Sequence, residues 1–169
     1  MSALPEEKSS QINASNHSIN PASTNTASTN TASTNTASIQ GRFISFEGTE
    51  GVGKTTAIEQ LCNHLQAKGI DYLRTREPGG SPFAEQLRAI LLDPDTTIND
   101  DTELLLMFAA RCDHLQQVIL PALQRGTWVI CDRFTDSTVA YQGFGRAHGD
   151  SAVRAKIDML IEQFVVQLP

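Results

Sequence analysis

The sequence predicts an α/β fold in which a parallel β-sheet lies between two layers of helices, and three observations favour this class. Short apolar stretches of strand character alternate with longer stretches whose apolar residues recur at helical spacing. TWVICD, residues 127–132, is almost continuously apolar, as is typical of a parallel strand covered on both faces. A glycine-rich segment, FEGTEGVGKTT, joins the first strand to the first helix. Such alternation implies right-handed βαβ crossovers.

The first three elements follow from residue 41 onward. RFISFEG, residues 42–48, is predicted as a buried strand that ends at glycine. A helix is predicted over residues 54–68, because apolar side chains recur there at helical spacing and Gly69 supplies the stop. DYLRTRE, residues 71–77, is the second predicted strand, and the following PGG breaks it.

The remaining elements continue the alternation. Pro82 suits the first turn of a second helix, whose apolar face carries Phe83, Leu87, Ile90 and Leu91. A long helical segment is predicted over about residues 102–123, and it should be kinked or divided before Pro121, which lacks an N–H group. TWVICD is the third strand, and a last helix is predicted over about residues 151–167. Only three strands are visible.

The first 40 residues differ in composition from the rest. They are almost free of bulky apolar side chains and contain three consecutive copies of ASTNT, which start at Ala22, Ala27 and Ala32. Such a stretch buries too little apolar surface to offset the entropy of ordering it. We therefore predict a disordered, low-complexity tail over residues 1–40 and a folded domain over residues 41–169.

Composition limits the classes of partner and the location. The formal net charge of −6 argues against a nucleic-acid polymer as principal partner, although a small anion needs only a local cluster of positive charge. Neither a secretion signal nor an apolar run of membrane-spanning length is visible. The three cysteines, Cys62, Cys112 and Cys131, show no CxxC spacing and are expected to be structural thiols. A soluble, cytoplasmic protein is expected.

The glycine-rich segment has the spacing of a phosphate-binding loop. Gly48, Gly53, Lys54 and Thr55 match GxxxxGK[ST] between a predicted strand and a predicted helix. Glycines let backbone N–H groups converge on phosphate oxygens, and the helix N-terminus adds partial positive charge. Lys54 would reach the β and γ phosphates of a nucleoside triphosphate, and the Thr55 hydroxyl would ligate Mg²⁺. The nucleotide-binding segment predicted in this way is Gly48, Thr49, Glu50, Gly51, Val52, Gly53, Lys54, Thr55 and Thr56.

Five blocks of sequence together resemble one family. EGTEGVGKTT, TREPGG, LLLMFAAR, VICDRF and STVAYQGFGR stand in the order found in bacterial thymidylate kinases, P-loop enzymes that phosphorylate dTMP to dTDP with ATP. The resemblance runs from about residue 41 to residue 169, and it implies the P-loop NTPase fold with its three α/β/α layers. It also implies ATP and dTMP as ligands, Mg²⁺ as cofactor and a homodimer as a possible assembly. The regulatory GTPase motifs DxxG and NKxD are not seen in the sequence.

Residues near the phosphate loop take roles from this resemblance. Glu50 would accept a hydrogen bond from the 3′-hydroxyl of the deoxyribose. Gly51 places the chain with the type of family member that supplies cations from a lid. Glu77 would shape the floor of the monophosphate site together with the proline that follows it, and Arg88 resembles an arginine that pairs with the dTMP phosphate.

Helix and strand-end residues complete the resemblance. Arg111 matches an arginine that hydrogen-bonds the thymine ring. An aromatic one turn before it stacks on the base, and four-residue spacing would fall on Met107, whereas the aromatic is Phe108, which could equally be core. Asp132 would hold Mg²⁺ through water, and Arg133 would bind the acceptor phosphate and act with Lys54 in catalysis. The segment that closes over sugar and base is matched by Ser137, Tyr141 and Gln142.

The family continues beyond the end of this sequence. The resemblance supplies a fourth strand, an arginine-rich lid and a fifth strand, with strand order 2-3-1-4-5, and none of these later parts is present in the sequence. We therefore expect a sheet of order 2-3-1 with strand 1 at an edge, which is a liability for aggregation. Three functions stay open: a dTMP kinase, a non-catalytic nucleotide-binding fragment, and a kinase for another nucleoside monophosphate.

Overall fold

The computed structural model describes residues 41–165. The tail predicted over residues 1–40 lies outside the described residues, as do residues 166–169 at the end of the last predicted helix.

Strands and helices alternate in the predicted order. The strands are β1 (Phe43–Phe46), β2 (Tyr72–Arg76) and β3 (Trp128–Asp132). The helices are α1 (Lys54–Ala67), α2 (Pro82–Leu92), α3 (Asp100–His114), α4 (Leu120–Gln124), α5 (Thr135–Thr138) and α6 (Ser151–Phe164). Two π-helical segments complete the set: π1 (Leu115–Ile119) joins α3 to α4, and π2 (Val139–Arg146) follows α5.

The three strands form one parallel sheet in the order β1-β3-β2. Val129 of β3 lies between Phe43 of β1 and Leu73 of β2. The sheet confirms the predicted α/β class, and its order is the 2-3-1 order that the resemblance implied. Within the described residues β1 is an edge strand, whereas β3 is paired on both sides.

Side chains of β3 alternate between two cores. Val129 and Cys131 belong to a cluster with residues of α3, α4 and α6, while Ile130 packs with Ile58 and Leu65 of α1 on the other face. All three strand residues are fully buried. Because both faces of the sheet carry helices, the continuous apolar run of β3 is explained, and the predicted three-layer arrangement is confirmed.

Two predicted helix boundaries are confirmed by their hydrogen bonds. Gly69, with φ of 66°, ends α1 by donating to Gln66 O, and Ile70 N donates to Leu65 O. The long helical segment is divided before Pro121, where Leu120 N donates to Leu115 O in the π1 turn. A proline cannot continue the ordinary hydrogen-bond ladder, so the wider turn falls just before it.

The helical path through residues 135–146 was not predicted. Gly143 and Gly145 lower helix propensity there and interrupt the apolar period. Tertiary packing overrides this preference, since Gly143 is buried against α6, and a Cβ at this glycine would lie 3.3 Å from Ile157 Cδ1.

No helix within residues 41–165 combines the length and apolar character needed to cross a membrane.

Candidate active site

The phosphate loop, residues 48–56, leads from the end of β1 into the first turn of α1. Gly53 precedes the helix with φ of 91°, a backbone conformation in which a side chain would be strained. No side chain of the described residues caps this helix, so the first N–H groups of α1 are available to an anion. Lys54 Nζ donates to the carbonyls of Gly48 and Thr49, at 3.0 and 2.8 Å. Its ammonium group therefore lies at the phosphate loop, beside the carbonyls of Gly48 and Thr49.

A second cation meets the same loop from β3. Arg133 follows the strand with φ of 72°, a strained conformation for an arginine. Its Nη1 donates to Gly48 O at 2.8 Å, and its guanidinium lies 5.2 Å from the centroid of the Tyr141 ring. The Gly48 carbonyl therefore accepts hydrogen bonds from both Lys54 and Arg133, which brings two positive charges to one point.

Glu47 holds the Arg133 corner in place. Its Oε1 accepts a hydrogen bond from Phe134 N at 2.8 Å, and its Oε2 accepts one from Ser137 Oγ. The carboxylate thereby ties the end of β1 to the start of α5. Glu47 was not predicted as a site residue, although its place at the carboxyl end of a predicted strand is a usable signal.

Arg111 of α3 lies in a buried network beside this corner. Its Nε donates to Glu77 Oε2 at 2.6 Å, and both side chains are 3% exposed. Arg111 Nη2 donates to Thr138 Oγ1 at 2.9 Å and to Phe134 O at 3.3 Å. Neither Thr138 nor the buried His114, which faces the second oxygen of Glu77, was predicted to take part. Both oxygens of Glu77 have partners in this network.

These elements enclose an open cleft of about 490 Å³ at the carboxyl ends of the strands. Six of the eight residues predicted to bind dTMP line it: Glu50, Arg111, Arg133, Ser137, Tyr141 and Gln142. The loop residue Thr49 and the floor residues Glu77 and Pro78 line it as well.

Three buried polar atoms in this region make no hydrogen bond within residues 41–165. They are Arg111 Nη1, Gln142 Oε1 and Asp132 Oδ1. Buried polar groups are almost always paired, so unpaired ones at a cleft point to a ligand. Arg111 Nη1 is a donor and Gln142 Oε1 an acceptor, so together they would suit a planar ring that carries both carbonyl oxygens and an N–H group.

Two predicted contacts require correction. Phe108 is 3% exposed, belongs to the core cluster beside β3 and does not line the cleft, whereas Met107 does. The guanidinium of Arg111, which does line the cleft, lies over the Phe108 ring at 4.9 Å. The aromatic therefore supports the arginine rather than the base.

Arg88 lies beside the cleft rather than in it. Its Nη1 donates to Pro78 O at 2.7 Å, and Pro78 lines the cleft. Burial, followed by the neighbouring charge of Arg76, lowers the pKa of the Arg88 guanidinium. In this arrangement Arg88 supports the floor of the cleft.

Two further arginines, Arg76 and Arg146, are engaged by carboxylates. Arg76 pairs with Glu85 at 2.9 Å, and Arg146 pairs with Glu103. Glu103 Oε1 also accepts from Gln142 Nε2 at 3.3 Å, which leaves the Gln142 oxygen as the unpaired end of that amide. Residues 41–165 hold no cluster of three or more histidine, cysteine or acidic side chains suited to a metal.

The two predicted Mg²⁺ ligands nevertheless fit that ion. Thr55 stands in the first turn of α1 with an exposed side chain, and Asp132 ends β3 with one unpaired, buried carboxylate oxygen. Mg²⁺ prefers oxygen ligands, and usually takes one or two from the protein and the others from phosphate and water. A hydroxyl and a carboxylate at the phosphate loop are such a donor set.

Comparison with known proteins assigns the family. A family model described as Thymidylate kinase matches residues 46–162. The chain belongs to the thymidylate kinase family. The match covers the phosphate loop, the cleft and most of α6, and it agrees with the P-loop NTPase fold expected from the sequence.

Named thymidylate kinases are similar over the same region. The chain is 72% identical over 129 residues to one from Psychrobacter sp. (strain PRwf-1). The aligned residues make up 76% of this chain and 62% of that protein. It is 54% identical to one from Chromohalobacter salexigens, over 73% of this chain and 58% of that protein. A crystal structure of thymidylate kinase from Ehrlichia chaffeensis superimposes with a TM-score of 0.66 at 38% identity, and covers 74% of this chain and 70% of the other. The chain thus spans about three fifths of the length of these two curated relatives.

Proposed function

We propose that this chain carries the nucleotide sites of an ATP-dependent dTMP kinase, which forms dTDP by in-line phosphoryl transfer. The observation that supports this most directly is that the carbonyl oxygen of Gly48 accepts hydrogen bonds from two cationic side chains. Lys54 Nζ and Arg133 Nη1 both donate to its carbonyl, so the cation of the phosphate loop and the cation of the cleft lie side by side. A γ-phosphate on one and a monophosphate on the other would be neighbours.

The chemistry would rely on charge and alignment. An oxygen of the acceptor phosphate attacks the γ-phosphorus, and the bond between this phosphorus and the β–γ bridging oxygen of ATP breaks, so that ADP leaves. The transferred group is stabilised by cations placed in advance, here Lys54 and Arg133, and needs no side-chain nucleophile. Mg²⁺ held by Thr55 and Asp132 would neutralise charge on the ATP phosphates.

The cleft would select the base and the sugar. Arg111 Nη1 would donate to a ring carbonyl of thymine, and Gln142 Oε1 would accept from the ring N–H. Glu50 would accept from the 3′-hydroxyl, and Tyr141 would crowd a ribose 2′-hydroxyl, as the family resemblance implies. Met107, which lines the cleft, would contact the base in place of Phe108.

Assembly and location belong to the same proposal. A homodimer is supported by an apolar groove between α3 and α6, to which the exposed Leu105 and Phe164 contribute. A cytoplasmic location is supported by three free cysteines, of which Cys131 has a thiol pKa raised by burial. Light scattering of the purified chain would give its oligomeric state.

The function is tested by coupled measurement of ADP release with ATP, Mg²⁺ and dTMP. We expect turnover with dTMP to exceed turnover with dUMP, dCMP or AMP. Lys54→Ala should lower kcat by at least about 100-fold, the usual loss when one preorganised group is removed from an active site. Lys68→Ala, at the opposite end of α1, is the matched control and should leave kcat unchanged. Equal turnover in the Lys54→Ala variant, or a preference for another monophosphate, would contradict the proposal.

A further inference from the structure

His114 is a fully buried polar side chain that the proposed chemistry does not use. Its Nδ1 lies 3.2 Å from Glu77 Oε1, and its Nε2 lies 2.7 Å from Thr75 Oγ1. Glu77 Oε2 in turn accepts from Arg111 Nε at 2.6 Å. A continuous chain of hydrogen bonds therefore runs from Thr75 in β2 through His114 and Glu77 to Arg111.

The chemistry of the partners sets the direction of these hydrogen bonds. An ionised carboxylate can only accept, so His114 Nδ1 must carry a proton and donate to Glu77. In the neutral imidazole Nε2 is then an acceptor, and the Thr75 hydroxyl donates to it. Glu77 thus sets the tautomer in which His114 faces it as a donor, and the Thr75 hydroxyl satisfies the other ring nitrogen.

The consequence is that the Arg111 guanidinium is held at two of its three nitrogens. Both oxygens of Glu77 are engaged, one by His114 and one by Arg111, which fixes the plane of the carboxylate. Thr138 Oγ1 accepts a further hydrogen bond, from Arg111 Nη2. The third guanidinium nitrogen, Nη1, makes no hydrogen bond within residues 41–165, and the Arg111 side chain lines the cleft. A carboxylate anchored by one oxygen only would be a less rigid partner for Arg111 Nε, and the guanidinium would then be fixed at Nη2 alone.

We propose that His114 and Thr75 are positioning residues that orient Arg111, through Glu77, for recognition of the nucleotide base. This inference rests on the proposed function, because Arg111 is assigned there to a ring carbonyl. Neither side chain touches the nucleotide. Their effect is confined to the base, so contacts of the sugar and phosphates do not depend on them.

The test uses three substitutions at His114 in the full chain. His114→Asn places an amide donor where Nδ1 was and keeps the hydrogen bond to Glu77. His114→Gln reaches toward Thr75 but has no donor at the Nδ1 position, and His114→Leu has none at all. Thr75→Val is a milder, nearly isosteric variant that removes only the hydroxyl. Calorimetric affinities for dTMP, dCMP and ATP are measured with each, beside thermal unfolding of the same samples.

The expected result is a loss that follows the donor to Glu77. His114→Gln and His114→Leu should bind dTMP about ten-fold more weakly, the scale of one hydrogen bond to a charged group. Their preference for dTMP over dCMP should shrink by a similar factor, since cytosine has an amino group where thymine has one of its carbonyls. His114→Asn should keep most of the affinity, Thr75→Val should lose two- to three-fold as a rough estimate, and ATP affinity should stay constant.

Two results would overturn the inference and are distinguishable. Variants with a lower unfolding temperature but unchanged dTMP affinity and unchanged preference over dCMP would show that the network is structural only, and Thr75→Val gives this answer even where a His114 variant fails to fold. A wild-type chain that binds ATP but not dTMP would overturn the proposed function and this inference together.

Discussion

At the scale of single residues, Gly80 shows how closely the backbone approaches the buried network. A Cβ built on it would lie 2.2 Å from His114 Nε2 and 2.6 Å from Thr75 Oγ1, and its φ is 91°. Gly80→Ala should therefore displace the imidazole and weaken dTMP binding as well as stability. Gly69→Ala is the matched control, because its φ is also positive but no atom lies within 4 Å of its Cβ.

The two alanine variants separate strain from collision. Gly69→Ala should cost only the usual left-handed penalty of about 1 to 2 kcal/mol, without any change in dTMP affinity. Gly80→Ala should lose more free energy of unfolding in urea and bind dTMP at least a few-fold more weakly. Equal effects of the two substitutions would mean that the close contact at His114 is not important.

A second residue-scale prediction concerns the buried pair of Arg111 and Glu77. Arg111→Met leaves the Glu77 carboxylate without its cation, and should lower the free energy of unfolding by about 3 to 5 kcal/mol. Adding Glu77→Leu should recover part of this loss, because no uncompensated charge then stays buried. Urea denaturation of the single and double variants measures the coupling. An additive loss would contradict it.

Residue roles could be predicted from the sequence only where a motif carries the chemistry. Lys54 and Arg133 lie where the phosphate-loop spacing and the end of the third strand put them. The choice between Met107 and Phe108 could not be made, since adjacent helical positions differ by about 100° of rotation and the packing decides which one faces the cleft. Glu47 and His114 act through tertiary hydrogen bonds, which leave no local pattern.

At the scale of elements, helices α2 and α3 each begin with an N-cap side chain, which is buried in α2 and exposed in α3. Asn99 Oδ1 accepts from Thr102 N at 2.8 Å on the surface, whereas Ser81 Oγ is buried, accepts from Ala84 N at 3.2 Å and donates to Asp113. Asn99→Ala should cost about 1 kcal/mol, the usual value of an N-cap. Ser81→Ala should cost more, because it also removes the tie between α2 and α3.

Thermal or urea unfolding of the two variants measures this difference. The losses of the two variants can be compared directly, since each variant removes the N-cap side chain of one helix. Ser81→Ala should in addition weaken dTMP binding slightly, because α2 and α3 carry Arg88 and Arg111. A smaller loss from Ser81→Ala than from Asn99→Ala would show that the bond to Asp113 contributes nothing.

Elements were predictable where one period dominates and a terminator is present. Gly69 and Pro121 mark the end of α1 and the division of the long helix as the sequence indicated. The α5 and π2 path was not predictable, because its glycines oppose a helix locally and only the close approach to α6 makes them favourable. Sheet order likewise has no local signal, and it came from the family resemblance alone.

At the scale of the whole molecule, a net charge of −6 coexists with three cationic side chains in one region, Arg111 and Arg133 at the cleft and Lys54 at the adjoining phosphate loop. These side chains come from α1, α3 and the end of β3, so a bound nucleotide pair would bridge elements that are far apart in sequence. A ligand that binds only the folded state stabilises it, by about 2.7 kcal/mol at 100 times its Kd. For a domain of this size, such a gain corresponds to a rise in Tm of roughly 10 °C.

The bridging arrangement predicts separable ligand effects on Tm. ATP with Mg²⁺ and dTMP should each raise the Tm of the wild-type chain when added alone. Lys54→Ala should lose most of the ATP shift and keep most of the dTMP shift, because its ammonium lies over the phosphate loop. Arg133→Ala should show the converse, since its guanidinium lies at the cleft against Tyr141. Differential scanning fluorimetry with saturating ligand gives all six Tm shifts, and loss of both shifts in either variant would show that the two sites do not bind their ligands independently.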